Sequence, residues 1–324
     1  GLAWVRLALR FVRLPDYDVL IVGYVGHLDV LLARFLSLFR RRPVVLNALV
    51  SLYDTAVLDR ALVPERSARA RLLHWLDRTA LRLADRVLID TDTHGRHLAA
   101  AYGVPPERLI TVRVGADPTG LPETPPPPPP IGPENGPVTV LWFGTYIALH
   151  GVPTILQAAR RLAGRDDMRF EMLGRGQELA AVRAQGDGPN VHFDARWVDR
   201  PALLQAIARS HVCLGVFGSG EKAGRVIPCK VYDALAMGRP VVTADTPAAR
   251  ELLTDGRDAL LVPPGDPGAL AEALAALADD PARRAALGAA GHATYLARCT
   301  PAAIGRDLLN ALPAALGGGQ GRGA

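Results

Sequence analysis

The chain has 324 residues, of which 49% are hydrophobic and 21% charged, with a formal net charge of +5. That length suits two domains with an ample core, and the composition is that of a globular protein. The charge favours anionic ligands or an anionic membrane face. Nucleic acid is not an expected partner, because no basic run is interleaved with aromatics and the longest is Arg40–Arg42. Cys213, Cys229 and Cys299 form no CxxC pair, which argues against a zinc site or a disulfide framework and fits a reducing cytoplasm.

In chain order, residues 1–13 carry Trp4, Leu7, Leu9 and Phe11 among Arg6, Arg10 and Arg13. They read either as a membrane-facing or as a core-facing helix. Short β-branched runs predict strands at 19–22, 44–46, 87–89 and 109–112. Helical periods predict helices at 29–39, 67–83 and 93–102, the second with Leu72, Leu73, Leu76, Ala80 and Leu83 on one face. His27, Asp29 and Arg34 interrupt the apolar stretch 19–39, so it reads as strand plus amphipathic helix and not as a membrane span.

Residues 118–137 break the pattern with six consecutive prolines, 125–130, and read as a stiff linker. A second series follows. Strands are expected at 138–143, 170–173, 191–193, 212–216, 240–243 and 259–262. Helices are expected at 154–162, 201–208, 230–237, 248–253, 267–277, 281–298 and 301–312, the last stopped by Pro313. This alternation predicts two doubly wound parallel α/β halves, with ligands at the carboxyl ends of the strands. The division is 1–118, linker 119–137, 138–300, a helix 301–316 crossing back to the first half, and a disordered tail 317–324. The first half lacks an opening strand and Gly-rich turn and begins without Met, so it reads as truncated at its amino terminus.

Three segments of the second half carry chemistry. A strand runs into Gly144 and Thr145, and a helix starts after His150, which reads either as an ordinary βα turn or as an anion site at a helix start. A second strand ends in Gly174-Arg-Gly176, which reads either as a tight turn or as a place where a nucleobase or ribose approaches the backbone. The third segment, residues 218–230, holds both lysines of the chain, Lys222 and Lys230, with Glu221 and Arg225. Lysine is a compact point charge suited to phosphate. A helix starting near Pro228 would put Lys230 and Asp233 on one face, the first for a phosphate and the second for a ribose diol.

Asp-Ala-Leu-Ala-Met-Gly-Arg-Pro-Val-Val-Thr at 233–243 and Glu-Leu-Leu-Thr-Asp-Gly-Arg-Asp-Ala-Leu-Leu-Val-Pro-Pro-Gly-Asp-Pro at 251–267 resemble the signature of family 4 (group 1) glycosyltransferases of GT-B architecture. Residues 84–89 and 103–117 resemble the close of that family's acceptor domain, and the likeness spans roughly 17–310. It implies retaining, metal-independent transfer of a sugar from a UDP- or GDP-linked donor to a hydroxyl acceptor such as a glycan or lipid. The nucleotide sugar is then a co-substrate and no resident cofactor is implied. The cysteine pattern makes the expected setting cytoplasmic, with peripheral membrane contact if residues 1–13 and Arg40–Arg42 face a membrane and not the core. Asp233 stands where the family has a ribose-binding Glu. The family's second Glu position is Arg225, so Glu221 becomes the expected sugar contact. Thr145 and His150 stand where the family has a phosphate-gripping Arg and Lys, and Lys230, Arg225 and Lys222 are the expected replacements. Gly144, Gly174 and Gly176 complete the donor side. On the acceptor side His27, Asn47, Ser51 and Asp54, with Tyr53, follow strands of the first half.

Asp90-Thr91-Asp92 has the form of a metal–nucleotide motif, but Thr91 reads more simply as a cap, and His94 and His97 read as a solvated face. Two alternatives stay open: a degenerate nucleotide-sugar- or glycan-binding protein, and a nucleotide-sugar epimerase.

Overall fold

The structure, a computed structural model, describes residues 2–132, 134–185 and 188–315; the tail expected at 317–324 lies outside them. The chain forms two compact units. One is built from the residues up to Arg113 and from Gly305 onward, the other from Val114–Ile304.

The first unit runs α1 (Leu2–Val12), β1 (Leu20–Val22), α2 (Asp29–Arg40), β2 (Val44–Asn47), α3 (Ala68–Leu83), β3 (Arg86–Ile89), α4 (Asp92–Tyr102) and β4 (Leu109–Thr111). Its strands pair in parallel in the order β1-β2-β3-β4. Every connection is therefore a crossover over the sheet. Val22, Val44, Leu46, Val87 and Ile89 pack against Val30, Ala80 and Leu98 of the helices. Asp54–Asp59 forms one π-helical stretch that periodicity did not reveal. On α1, Phe11 is buried while Val5, Leu7, Leu9 and Val12 are exposed, so this helix buries only part of its apolar residues.

The second unit runs β5 (Val138–Thr145), α5 (Val152–Arg161), β6 (Met168–Arg175), α6 (Leu179–Ala184), β7 (Val191–Asp194), α7 (Arg200–Ala208), β8 (Val212–Leu214), α8 (Cys229–Ala236), β9 (Val241–Ala244), α9 (Pro247–Arg250), β10 (Leu260–Val262), α10 (Pro267–Asp279) and α11 (Pro281–Arg298). α12 (Pro301–Ala315) leads from this unit into the first. It continues past Pro313, contrary to the expected stop. There the proline lacks its own backbone donor and its ring crowds the carbonyl four residues earlier, yet the helix runs on to Ala315.

The sheet order is β10-β9-β8-β5-β6-β7, all parallel. Both faces are covered, and β5 shows why. Val140 and Trp142 enter one core while Leu141 and Phe143 enter the other. The chain winds outward from β5 through β6 to β7, then returns to β8 on its other side. The winding thus reverses between β5 and β8, and ligands of such sheets bind at the carboxyl ends flanking that reversal.

The proline run lies on this second unit. Arg239, 1% exposed, donates to the carbonyls of Ile207, Ala208, Pro126 and Pro127 at 2.7–3.3 Å. His211 accepts from Thr139 N–H at 2.8 Å and meets Pro129 O at 3.0 Å. A segment that reads as linker by composition is a strap held by two buried side chains, because prolines keep their carbonyls free to accept.

Candidate functional site

The carboxyl ends of β5 and β6 are in register, with Gly144 opposite Gly174 and Thr145 opposite Arg175. Both glycines have positive φ, 143° and 140°. A Cβ on Gly174 would lie 1.9 Å from Gly144 O, so only glycine fits there. Across the reversal, α8 begins after Pro228, which is extended at the N-cap. Its first turns carry Lys230 and Asp233, as the i, i+3 spacing predicted.

Lys230 is 6% exposed, and its amine has no hydrogen-bond partner. It lies 4.2 Å from the centre of the Trp142 ring. It also fills the space a side chain on Gly144 would need, 3.0 Å from that Cβ position, with His150 Cε1 at 3.5 Å. Two segments far apart in sequence thus converge on one point: the β5 turn, which carries Gly144 and His150, and Lys230 at the start of α8. Burial drives the Lys230 amine well below its ordinary 10.5. A cation–π contact returns only a small part of the lost hydration. His150 turns Nδ1 toward Thr145 O at 2.5 Å and closes the turn. Thr145 itself is exposed.

Asp233 is 7% exposed and pairs with Arg200 of α7, Nη1 to Oδ1, at 2.7 Å. Burial raises its carboxyl and Arg200 opposes the rise. Arg200 also lines a cavity of about 290 Å³ with Gly144, Gly174, Arg175 and Trp197. Trp197 is 74% exposed, and the Arg175 guanidinium lies 5.2 Å over its ring. Trp197, Arg175 and Arg200 had not been singled out in the sequence. Gly176 is the point where the β6 turn meets the backbone of Tyr146.

Arg225 and Glu221 sit in a short turn ahead of α8. Arg225 is buried and donates to Glu221 at 3.2 Å, while the Glu221 side chain is 89% exposed. Lys222, half-buried, starts the same turn.

In the first unit the acceptor-side candidates are organised by a residue that sequence reasoning missed. Asp77 of α3 is fully buried. It accepts from Ser51 Oγ at 2.7 Å, Leu52 N at 3.0 Å, Tyr53 N at 2.8 Å and Tyr102 Oη at 3.3 Å. His27 Nε2 lies 3.2 Å from its other oxygen, and burial pushes that imidazole down. His27 and Ser51 are therefore linked through one carboxylate. Asp54 is joined instead to His97, at 3.1 Å. Asn47, half-buried, ends β2 and pairs in register with Leu88. Asp77→Ala would strand several buried donors at once. The expected cost is about 3 kcal/mol or more in chemical denaturation, with Asp77→Asn losing less because it keeps an acceptor.

The Asp90-Thr91-Asp92 carboxylates are occupied. Asp90 meets His94 at 2.8 Å, Thr91 caps α4 through His94 N–H at 3.0 Å, and Asp92 accepts from Thr111. His94 is buried, not the solvated position the sequence implied. Among the described residues no helix is long and apolar enough to cross a membrane.

The family model for glycosyl transferases group 1 matches residues 137–280, and that for the glycosyl transferase 4-like domain matches residues 1–115. Each unit thus matches a group 1 or 4-like glycosyl transferase model over most of its length. It is 33% identical over 149 residues to a phosphatidyl-myo-inositol mannosyltransferase of Mycobacterium leprae, covering 43% of this chain and 37% of that protein. It is 28% identical over 245 residues to a D-inositol 3-phosphate glycosyltransferase of Kribbella flavida, covering 70% and 55%. The alignments thus span about half the length of these relatives or less. The solved structure of HepE from Anabaena in complex with UDP matches with a TM-score of 0.70 at 17% identity, over 96% of this chain and 82% of that one. The two parallel-sheet α/β units have the GT-B fold.

Proposed function

We propose that the protein is a retaining glycosyltransferase that takes a sugar from a UDP- or GDP-linked donor and passes it to a hydroxyl of a glycan or lipid. The observation that carries this reading is the Lys230 amine, buried and unpartnered beside Gly144. An anion is the partner that a desolvated amine lacks. A diphosphate at the β5 turn would restore the ammonium and gain a charge-assisted hydrogen bond. The ribose hydroxyls would then reach Asp233, and the nucleobase the cavity beside Trp197. UDP and UDP-glucose in solved HepE structures support a nucleotide-sugar donor.

In the reaction, negative charge grows on the leaving diphosphate. Lys230, Arg225 and Lys222 would stabilise it in a site poor in water, where such contacts are strongest. The reading needs no resident cofactor or metal. Glu221, exposed and paired, fits a sugar contact less well than the sequence alone implied. His27 and Ser51, tied through Asp77, are the acceptor-side candidates. The reading includes a lipid-linked acceptor and peripheral contact with an anionic membrane through α1, whose exposed apolar residues are interspersed with Arg6 and Arg10 and followed by Arg13.

The test is to incubate the full-length protein with UDP- and GDP-linked sugars and follow the released sugar by NMR. Release of nucleoside diphosphate with the donor's anomeric configuration appearing first is expected. The opposite configuration would overturn retention. Binding without any release would favour a nucleotide-sugar-binding protein, and a new nucleotide sugar without acceptor would favour an epimerase.

A further inference from the structure

Arg200 opens α7 directly after the capping Asp199, whose carboxylate accepts from Ala202 N at 2.9 Å. An arginine at such a helix start normally extends into water. Here its guanidinium is turned inward and spread over three acceptors. It donates to Asp233 Oδ1 at 2.7 Å, to Asp117 O at 2.6 Å and to Thr119 O at 3.5 Å. The pair is shielded, with the Arg200 side chain 18% and the Asp233 side chain 10% exposed. An exposed ion pair is worth little, but breaking a shielded one leaves a carboxylate with neither water nor partner. The same guanidinium forms part of the cavity wall beside Gly144 and Trp197.

We propose that Arg200 is a positioning residue of the donor site, which keeps the buried Asp233 carboxylate ionised and aimed while anchoring it to the segment at Asp117–Thr119. This rests on the donor reading above. Asp233 cannot serve two ribose hydroxyls as a strong acceptor unless it is ionised, and its burial works against that. Arg200 supplies the opposing charge and, by its fork, fixes one carboxylate oxygen and leaves the other for the ligand.

The other groups around Asp233 do not replace it. The nearby Asp117 carboxylate acts in the same direction as burial. Cys213, facing from β8, is pushed up to about 11 by burial, and Tyr295, facing from α11, is also raised. Both are therefore neutral near pH 7 and add no charge.

The sign follows directly. A carboxyl with a raised value is ionised only above it, so its contribution to UDP affinity falls as pH drops through that value; Lys230, three residues earlier on α8, is shared by parent and variants and cancels from their comparison. Removing Arg200 moves the fall to higher pH. The experiment measures the UDP dissociation constant from about pH 5.5 to about pH 9 for the full-length protein and its Arg200→Ala, Arg200→Gln and Arg200→Lys variants. Arg200→Ala is expected to lose about tenfold or more at the acid end and much less at the alkaline end. Arg200→Gln, which can still donate to the 117 and 119 carbonyls, is expected to follow the Ala curve. Arg200→Lys, which restores the charge, is expected to return the midpoint toward the parent's. If the parent binds neither UDP nor GDP, the donor reading falls. If the parent binds and Arg200→Ala or Arg200→Gln shares its pH profile, or if all three variants lose affinity equally at every pH, this proposal falls alone.

Discussion

Lys230→Ala weakens UDP binding by about one to two orders of magnitude, the value of one charge-assisted hydrogen bond in a shielded site. The same change should not cost the fold a comparable amount. In the free protein the Lys230 amine makes no hydrogen bond and carries a desolvation penalty that its contact with Trp142 only partly offsets. Lys230→Met, which keeps most of the stem volume, is therefore expected to be at least as stable as the parent while binding UDP poorly. Higher stability with lost binding is the signature of a group kept for its ligand. A pH dependence accompanies it. The folded-state value of Lys230 lies well below 10.5, so between the two values the unfolded chain holds one proton more than the native one. Parent stability should rise with pH across that interval, and the rise should be missing in Lys230→Met. Urea denaturation at several pH values, combined with calorimetric titration of UDP, checks both halves.

Gly174→Ala carries the largest structural effect. Its Cβ would overlap Gly144 O at 1.9 Å, and its φ of 140° is one that alanine rarely adopts. The obstacle is backbone, not the end of a flexible side chain, so the paired β5 and β6 ends must separate. The expected cost is about 3 kcal/mol or more. The cavity beside Trp197 would be lost with it, since both turns line that space. Gly164→Ala is the matched control, because a Cβ there meets nothing within 4 Å. It is expected to change stability by less than about 1 kcal/mol. Melting curves for the two variants provide the comparison, and equal effects would refute the close approach of the strand ends.

The parallel sheets were legible because their strands bury both faces and so read as apolar β-branched runs such as Val-Val-Leu at 44–46. Gly144 and Gly174 were legible as punctuation at strand ends. Lys230 and Asp233 were legible because Pro228 marks a helix start and the i, i+3 spacing puts them on one face. What stayed hidden depends on partners distant in sequence. Arg200 is an ordinary residue after a capping Asp in an arginine-rich chain, and only folding brings it to Asp233. Asp77 looks like a polar position of a long amphipathic helix, yet it is the acceptor around which the 51–53 loop is folded. The six prolines carry every compositional mark of a linker, and the cause of their docking, Arg239, lies more than a hundred residues away. Glu221 is the residue whose surroundings its local motif did not reveal. Its local motif pointed to a sugar contact, while in the fold it is held at i, i+4 by Arg225 and exposed.

The central claim is that Lys230 answers the diphosphate of a nucleotide sugar. It is tested most directly by titrating UDP and UMP into the full-length protein and into Lys230→Ala. The parent is predicted to prefer UDP over UMP by about tenfold or more, and the variant is predicted to lose that preference. Equal affinity of the parent for the two nucleotides, or an undiminished preference in Lys230→Ala, would contradict the account.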